Sequence, residues 1–122
     1  KKGKKGIASW SKAIVVHNPN EYAIFDARVS VSLNSIQKLF NVNEAILFPI
    51  LSSRNKTVAL GNKIIKDTAK TESWKKANVN NFYIQYLKIL NTVAKELNTN
   101  ISTIEMLLFA KAEELVETTF KK

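Results

Sequence analysis

The sequence lacks cysteine, has a single histidine, His17, and contains few residues that break helices, with three glycines and two prolines. Without cysteine, neither a disulfide framework nor a thiolate zinc site can form, and a lone histidine argues against a histidine-based metal site within the chain. We therefore expect neither a metal nor a cofactor. A chain without cysteine is typical of the cytosol, so we expect a cytoplasmic location.

Long hydrophobic runs are also lacking. The most apolar stretch, Ala45 to Leu51, is short and contains Pro49, whereas a membrane-spanning helix needs roughly 20 apolar residues. The basic opening KKGKK is not followed by the apolar core of a signal peptide. We predict no membrane segment. Because the chain begins with Lys1 rather than Met, we expect a fragment whose upstream segment is one of its partners.

Acidic residues are too few to balance the basic ones, and the net charge is +9. Residues 77–122 contain five Lys and five Glu, so the whole surplus lies in residues 1–76, with 14 basic and five acidic side chains. Such a localised excess attracts polyanions by counterion release. The alternative is an ordinary solvated surface. Most of the surplus lies in two clusters, which are Lys1, Lys2, Lys4, Lys5 and Lys12, and then Arg54, Lys56, Lys63, Lys66, Lys70, Lys75 and Lys76.

The composition and spacing of apolar residues predict an all-α fold. Hydrophobic residues are 45% and charged residues 24% of the 122, which is ordinary for one globular domain. Scarce glycine and proline favour helices over strands and turns. We predict a single compact domain, residues 1–122, with five or six helices and a flexible basic lead-in at residues 1–6.

Two helices are predicted in the first third of the chain. The first covers residues 7–16 and ends before Pro19, because the residue before proline is disfavoured in the helical region. The second opens at Asp26, a residue type that caps helix starts. It is supported by apolar residues at steps of four and three, namely Phe25, Val29, Leu33, Ile36 and Phe40.

The rest of the chain contains a weakly patterned middle and a clear helical end. We predict a loop to Leu60, because Gly61 weakens any helix there, and then a short helix over residues 62–69, with Trp74 anchoring the segment on the core. A long helix follows, from Asn78 or Asn80 to Leu97. Ser102 and Glu105 have the spacing of a capping box for a final helix. The short link predicts an antiparallel C-terminal helix pair.

One stretch, GIASWSKAIVVHNPNEYAIFDARVSVSL at residues 6–33, resembles the centre of the helix-hairpin-helix base-excision DNA glycosylases. Asp26, Val29 and Leu33 match the pattern "hydrophobic-D-x-x-V-x-x-x-L" at the head of a helix in that superfamily. Gly6, Ile7 and Ala8 correspond to its Gly-hydrophobic-Gly hairpin turn, with Ala in the place of the second Gly. The resemblance covers about a quarter of the chain and implies that this turn holds DNA phosphates through backbone N–H groups.

The resemblance also implies site residues. Asp26 is the candidate catalytic carboxylate with Lys12 assisting, while a structural cap is the alternative for Asp26. In bifunctional members a Lys beside the hairpin attacks the sugar; Trp10 occupies that position here, and Lys12 lies about half a turn further on. The candidate nucleic-acid-binding residues are Lys4, Lys5, Gly6, Ile7, Ala8, Ser9, Arg54 and Lys56.

Three functions follow from these observations. The first is a DNA-binding helical module that is similar to the C-terminal region of such a glycosylase and in which the catalytic activity has degenerated. The second is a non-catalytic helical domain that docks on another segment or protein. The third is a true glycosylase half-site, although the other half of the hairpin and the second helical subdomain that encloses a flipped base are missing from the chain.

Overall fold

A computed structural model describes residues 6–120 of the chain. It contains six α-helices and two very short strands, which confirms the predicted all-α class and the number of helices. The elements are α1 (Ile7–His17), α2 (Ala27–Leu39), β1 (Ile46–Leu47), α3 (Lys56–Thr71), β2 (Lys75–Lys76), α4 (Phe82–Glu96), α5 (Ile101–Ala110) and α6 (Ala112–Phe120). Within the described residues, no helix is long and apolar enough to cross a membrane.

Helix α2 lies at the centre and separates two apolar clusters. Val29 and Leu33, one turn apart, belong to a larger cluster with the apolar faces of α1, α4 and α5. Val31 is rotated to the opposite side of the helix and belongs to a smaller cluster with α3 and α6, which includes Val58 and Val116. The side chains of α1 and α3 therefore belong to different apolar clusters, which lie on opposite sides of α2.

Polar side chains of α2 hold the β1 segment in place. The Asn34 side chain accepts a hydrogen bond from Phe48 N at 2.9 Å and donates one to Phe48 O at 3.2 Å. Two residues earlier along the segment, Ile46 makes the same pair of bonds with Gln37, through Ile46 N (2.8 Å) and Ile46 O (2.7 Å). On its other edge β1 pairs with β2 in parallel. The two amides thus satisfy backbone groups that a neighbouring strand would otherwise satisfy.

The prediction for residues 52–69 was wrong in its boundary. A single helix, α3, runs over the whole of Lys56–Thr71, and its N-cap is Asn55, whose side chain accepts from Val58 N at 2.9 Å. Gly61 lies inside this helix, where a Cβ atom would come within 2.7 Å of Val116 Cγ2. The glycine is therefore explained by the close approach of α6, and it does not end the helix.

The predicted end of the chain also needs two corrections. The cap of α5 is Asn100, which accepts from Thr103 N at 3.0 Å, and Ser102 lies inside the helix, so the predicted capping box does not form. The predicted final helix is two helices, α5 and α6, which are separated at Lys111. Helices α4 and α5 do pack together, while their antiparallel orientation stays a prediction.

Candidate nucleic-acid interface

The first candidate element is the start of α1 at Gly6. Gly6 is exposed and has a left-handed backbone with φ 70°, and among residues 6–120 no side chain caps the helix. The side chain of Ile7 is 1% exposed and belongs to the larger apolar cluster, so it fixes the turn to the core. The first N–H groups of any helix have no partner within the helix. At this end of α1 they are available to an acceptor from outside.

A buried serine connects α1 with the segment that leads to Asp26. Ser11 is fully buried, and its hydroxyl oxygen accepts a hydrogen bond from Phe25 N at 3.1 Å. The same hydroxyl donates to Ala8 O at 3.3 Å, in the first turn of α1. One side chain therefore ties the predicted phosphate-binding turn to the residue before Asp26. The spacing of apolar residues did not reveal this role of Ser11.

Asp26 is the N-cap of α2. Its carboxylate oxygen Oδ1 accepts a hydrogen bond from Val29 N at 3.0 Å, and its backbone is extended. This geometry confirms that Asp26 caps the helix. Two tyrosine hydroxyls hold the approach to it, because Tyr83 donates to Ala23 O at 2.6 Å and Tyr86 donates to Ile24 O at 2.5 Å. Burial raises the pKa of the Tyr83 hydroxyl to about 12, so it remains a donor at neutral pH.

A second carboxyl group, Glu105 on α5, lies in the field of Asp26. Burial raises the pKa of Glu105, and the negative charge of Asp26 raises that pKa further. Burial is also the main cause that raises the pKa of the Tyr86 hydroxyl, with the charges of Glu105 and Asp26 adding to it. Burial and the charge of Asp26 therefore both favour the protonated forms of Glu105 and Tyr86. Among residues 6–120, no group of three or more histidine or acidic side chains could hold a metal ion.

The starts of α2 and α3 are joined through Glu113 on α6. The guanidinium of Arg28 lies 3.6 Å from Glu113 Oε2 and stacks over the ring of Phe109 at 5.4 Å. Asn55 Nδ2 donates to the same carboxylate oxygen at 2.5 Å. Because Arg54 and Lys56 flank Asn55, these two candidate residues lie at the same end of the molecule as Asp26. Arg28 thus contacts α5 through Phe109 and α6 through Glu113.

Among the residues that it describes, the structure does not link the remaining candidate residues to Asp26. Lys12 is exposed, and the structure forms no ion pair or hydrogen bond between Lys12 and Asp26 within residues 6–120. Ala8 is half-buried and Ser9 is exposed beside Gly6. Lys4 and Lys5 lie outside the described residues. The structure thus positions the Gly6 turn, Asp26 and the start of α3 around α2, and does not join Lys12 to Asp26.

A separate apolar groove lies between α2, β1 and α4. Its volume is about 460 Å³, and it is bordered by the half-buried side chain of Ile36 and the exposed side chain of Ile89. Phe48 forms part of its floor and is 3% exposed. The sequence did not reveal this groove, because its walls come from three segments far apart in the chain. The other lining residues are Leu33, Gln37, Ile46, Gln85 and Lys88.

Comparison with known proteins adds no relative. No family model matches the chain, and neither the curated proteins nor the solved structures gave a match. The functional interpretation therefore depends on the residues and contacts described above.

Proposed function

We propose that this chain is a DNA-binding helical module, similar to the C-terminal region of a helix-hairpin-helix glycosylase and without an independent catalytic function. The observation that carries the proposal is the start of α1. It combines an exposed glycine in the left-handed conformation, no capping side chain and a buried anchor at Ile7. Such a helix start can bind a phosphate through its free N–H groups.

Charge supports the same partner. The start of α1 follows Lys4 and Lys5 in the sequence, and the surplus of +9 is confined to residues 1–76. Arg54 and Lys56 at the start of α3 are exposed and supply further cations at the end of α2 that carries Asp26. Contacts of this kind bind the backbone of DNA and carry little sequence information. We therefore expect weak binding with little sequence preference.

The contacts of Asp26 favour a structural role within this chain. Its Oδ1 atom already accepts a backbone hydrogen bond, and in the described part of the chain no hydrogen bond or ion pair links it with Lys12. An enzyme that excises bases also encloses the extruded base in a pocket. The apolar groove of about 460 Å³ is lined by residues of α2, β1 and α4, and Asp26 is not among them.

The groove favours a second candidate function, a docking domain for another helical segment. An exposed apolar surface of this kind is typical of protein contact sites. This candidate predicts that the groove, rather than the start of α1, is the functional surface. The two functions are compatible with one chain, since the groove and the Gly6 turn involve different residues.

A fluorescence anisotropy titration of a short labelled duplex tests DNA binding. We expect a Kd in the micromolar range or weaker at about 50 mM salt, similar values for unrelated sequences, and a steep loss of affinity at about 200 mM salt. Absence of binding at the lower salt concentration, or binding that does not depend on salt, would contradict the proposal and favour the docking domain.

A further inference from the structure

Helix α3 carries a row of exposed lysines, of which the proposed interface uses only the first, Lys56. We name Lys56, Lys63, Lys66 and Lys70 the lysine stripe. At 3.6 residues per turn, the four positions fall within an arc of about 80° on the helix surface, and at 1.5 Å per residue they span about 21 Å. All four side chains are exposed. A continuous cationic ridge therefore runs along the solvent side of α3.

The surroundings of the stripe balance only part of its charge. Within residues 6–120, no lysine of the stripe takes part in an ion pair, since the ion pairs there belong to Arg28, Lys38 and Lys111. Asp67 is the acidic residue within α3. The nearby Glu72 is bound by Lys38 of α2, and this hydrogen bond lowers the pKa of Glu72. Its charge is thus already compensated by a cation outside the stripe.

The stripe continues onto β2. Lys66 of α3 and Lys76 of β2 line the same depression, whose volume is about 300 Å³. Lys75 and Lys76 are both exposed. At its other end the stripe begins at Lys56, beside Asn55, which contacts Glu113 together with Arg28. The cationic surface therefore extends from the start of α2 along α3 to β2.

We infer that the lysine stripe is a second phosphate-binding surface, which tracks the backbone of duplex DNA beyond the contact at the start of α1. The inference rests on the proposed DNA-binding function and extends it to α3. Because α1 and α3 belong to apolar clusters on opposite sides of α2, the two surfaces bind different stretches of backbone. A duplex has one negative charge per about 1.7 Å of its axis, so a ridge of about 21 Å faces many phosphates.

An anionic membrane fits this surface less well. Helices that lie on membranes insert an apolar face into the boundary of the lipids. The apolar side of α3 is instead buried in the protein, where Val58 and Ile65 are both 0% exposed. The lysines could therefore attract anionic lipids, but α3 has no free apolar face to insert among them.

The test compares two triple variants that remove the same charge. The first, Lys63→Gln, Lys66→Gln and Lys70→Gln, removes three lysines of the stripe. The second, Lys88→Gln, Lys95→Gln and Lys111→Gln, removes three exposed lysines of α4 and the turn after α5. All six positions are exposed, and Gln has nearly the helix propensity of Lys, so circular dichroism should show both variants folded.

The readout is the slope of log K against log salt for a labelled duplex of about 20 base pairs, at several salt concentrations. Each phosphate contact contributes about −0.9 to that slope. We expect the stripe variant to lose about 2 to 3 from its magnitude, with weaker binding at low salt, and the control variant to lose less than about 1.

Equal losses in the two variants would show a general charge effect and overturn the inference, as would a stripe variant with the wild-type slope. Wild type that does not bind the duplex would overturn the proposed function as well, whereas wild-type binding with an unaffected stripe variant would overturn this inference alone. Tighter binding of wild type to vesicles of 30% phosphatidylserine than to the duplex would favour the membrane instead.

Discussion

At the scale of single residues, Asp26 has two possible roles, a helix cap and a catalytic carboxylate. Asn accepts the hydrogen bond from Val29 N about as well as Asp, and Ala cannot. We therefore predict that Asp26→Asn leaves the free energy of unfolding nearly unchanged, whereas Asp26→Ala lowers it by about 1 kcal/mol. Chemical denaturation of the three proteins measures the difference.

The same variants separate a cap from a catalytic carboxylate. In a strand-cleavage assay on duplexes with damaged bases, we expect no activity from wild type, Asp26→Asn or Asp26→Ala. Excision by wild type that disappears in the Asn variant would contradict this account, because the amide keeps the cap but can neither act as a base nor stabilise a developing cation.

Glu105 gives a prediction about pH. Its pKa is raised in the folded protein, first by burial and then by the charge of Asp26, so the protonated form is favoured by folding. The stabilisation is complete below the unfolded pKa of about 4.5 and is lost as the pH rises through the higher folded value. Glu105→Gln should therefore raise the melting temperature at pH 7 and change it little at about pH 4.

The control for Glu105 is Glu96→Gln, at an exposed position of α4. Its melting temperature should follow that of wild type at both pH values. If Glu105→Gln instead lowers the melting temperature at pH 7 and leaves it unchanged near pH 4, the charged form of Glu105 stabilises the fold, which contradicts the prediction.

At the scale of elements, Asn34 holds β1 against α2. Its side chain is 0% exposed and makes two hydrogen bonds with the backbone of Phe48. Asn34→Leu has a similar size but leaves both backbone groups without a partner, at about 1–3 kcal/mol for each group. We predict a loss of at least about 2 kcal/mol in urea unfolding.

The matched control is Gln37→Leu. Gln37 makes an equivalent pair of hydrogen bonds with Ile46 but is partly exposed, so water can replace the lost partners. Its loss should be smaller than that of Asn34→Leu. Equal losses would show that burial does not distinguish the two amides.

Gly61 gives an element-scale prediction about packing between helices. A Cβ atom at this position would lie 2.7 Å and 3.0 Å from the two γ-carbons of Val116, and 3.2 Å from Val31 Cγ2. Val116 is stiff because it is β-branched within a helix, so it cannot easily move aside. We predict that Gly61→Ala lowers the stability by about 1–3 kcal/mol through overpacking, despite the gain of nearly 1 kcal/mol in helix propensity.

A double-mutant cycle with Val116→Ala tests the cause. Removing the γ-carbons makes room for the new methyl group, so the double variant should be more stable than the sum of the two single losses predicts. Additive losses would show that the lost stability does not come from a clash between the new methyl group and Val116. A Gly61→Ala variant that is more stable than wild type would show that α6 moves away and makes room for the methyl group.

The predicted elements succeed and fail for identifiable reasons. Helices α1 and α2 follow from local signals, namely the helical spacing, Pro19 and the cap at Asp26, and local signals are present in the sequence. The beginning of α3 was missed because Gly61 weakens an isolated helix. Its true role depends on Val116 of α6, a contact that sequence spacing does not show.

The end of the chain gives a second example. Both Asn100 and Ser102 are residues that cap helices, and the pairing of Ser102 with Glu105 favoured the later position. In the structure Asn100 caps α5, and Ser102 lies inside the helix, where it cannot pair with Glu105 as a cap. Two residues of the same capping type lie two positions apart, so local spacing favoured the wrong one.

At the scale of the whole molecule, α2 is buried on all sides over the seven residues 29–35. Helical spacing predicted only the apolar face at Val29 and Leu33. Ser30 and Ser32 lie on the two opposite flanks of the helix. Both are buried, and their hydroxyls donate to Pro49 O and Leu108 O, at 2.5 Å and 2.6 Å. Polar residues of the sequence were therefore part of the core.

In the candidate site too, the sequence indicated the separate residues, and only the structure shows how they are connected. The sequence indicated the Gly6 turn, Asp26 and the start of α3, and the structure connects them through Ser11 and through the Arg28–Glu113–Asn55 contacts. The connecting residues lie on different helices. Their roles depend on the packing around α2, which no local pattern contains.

The central claim is that the start of α1 binds the phosphates of DNA. An NMR titration tests it most directly, by following the backbone amide resonances of the isotope-labelled chain as an unlabelled duplex is added at about 50 mM salt. The account predicts that the largest shifts include the amides of Ile7, Ala8 and Ser9 and that they reverse at high salt. Shifts confined to residues around the apolar groove, or none at any DNA concentration, would contradict it.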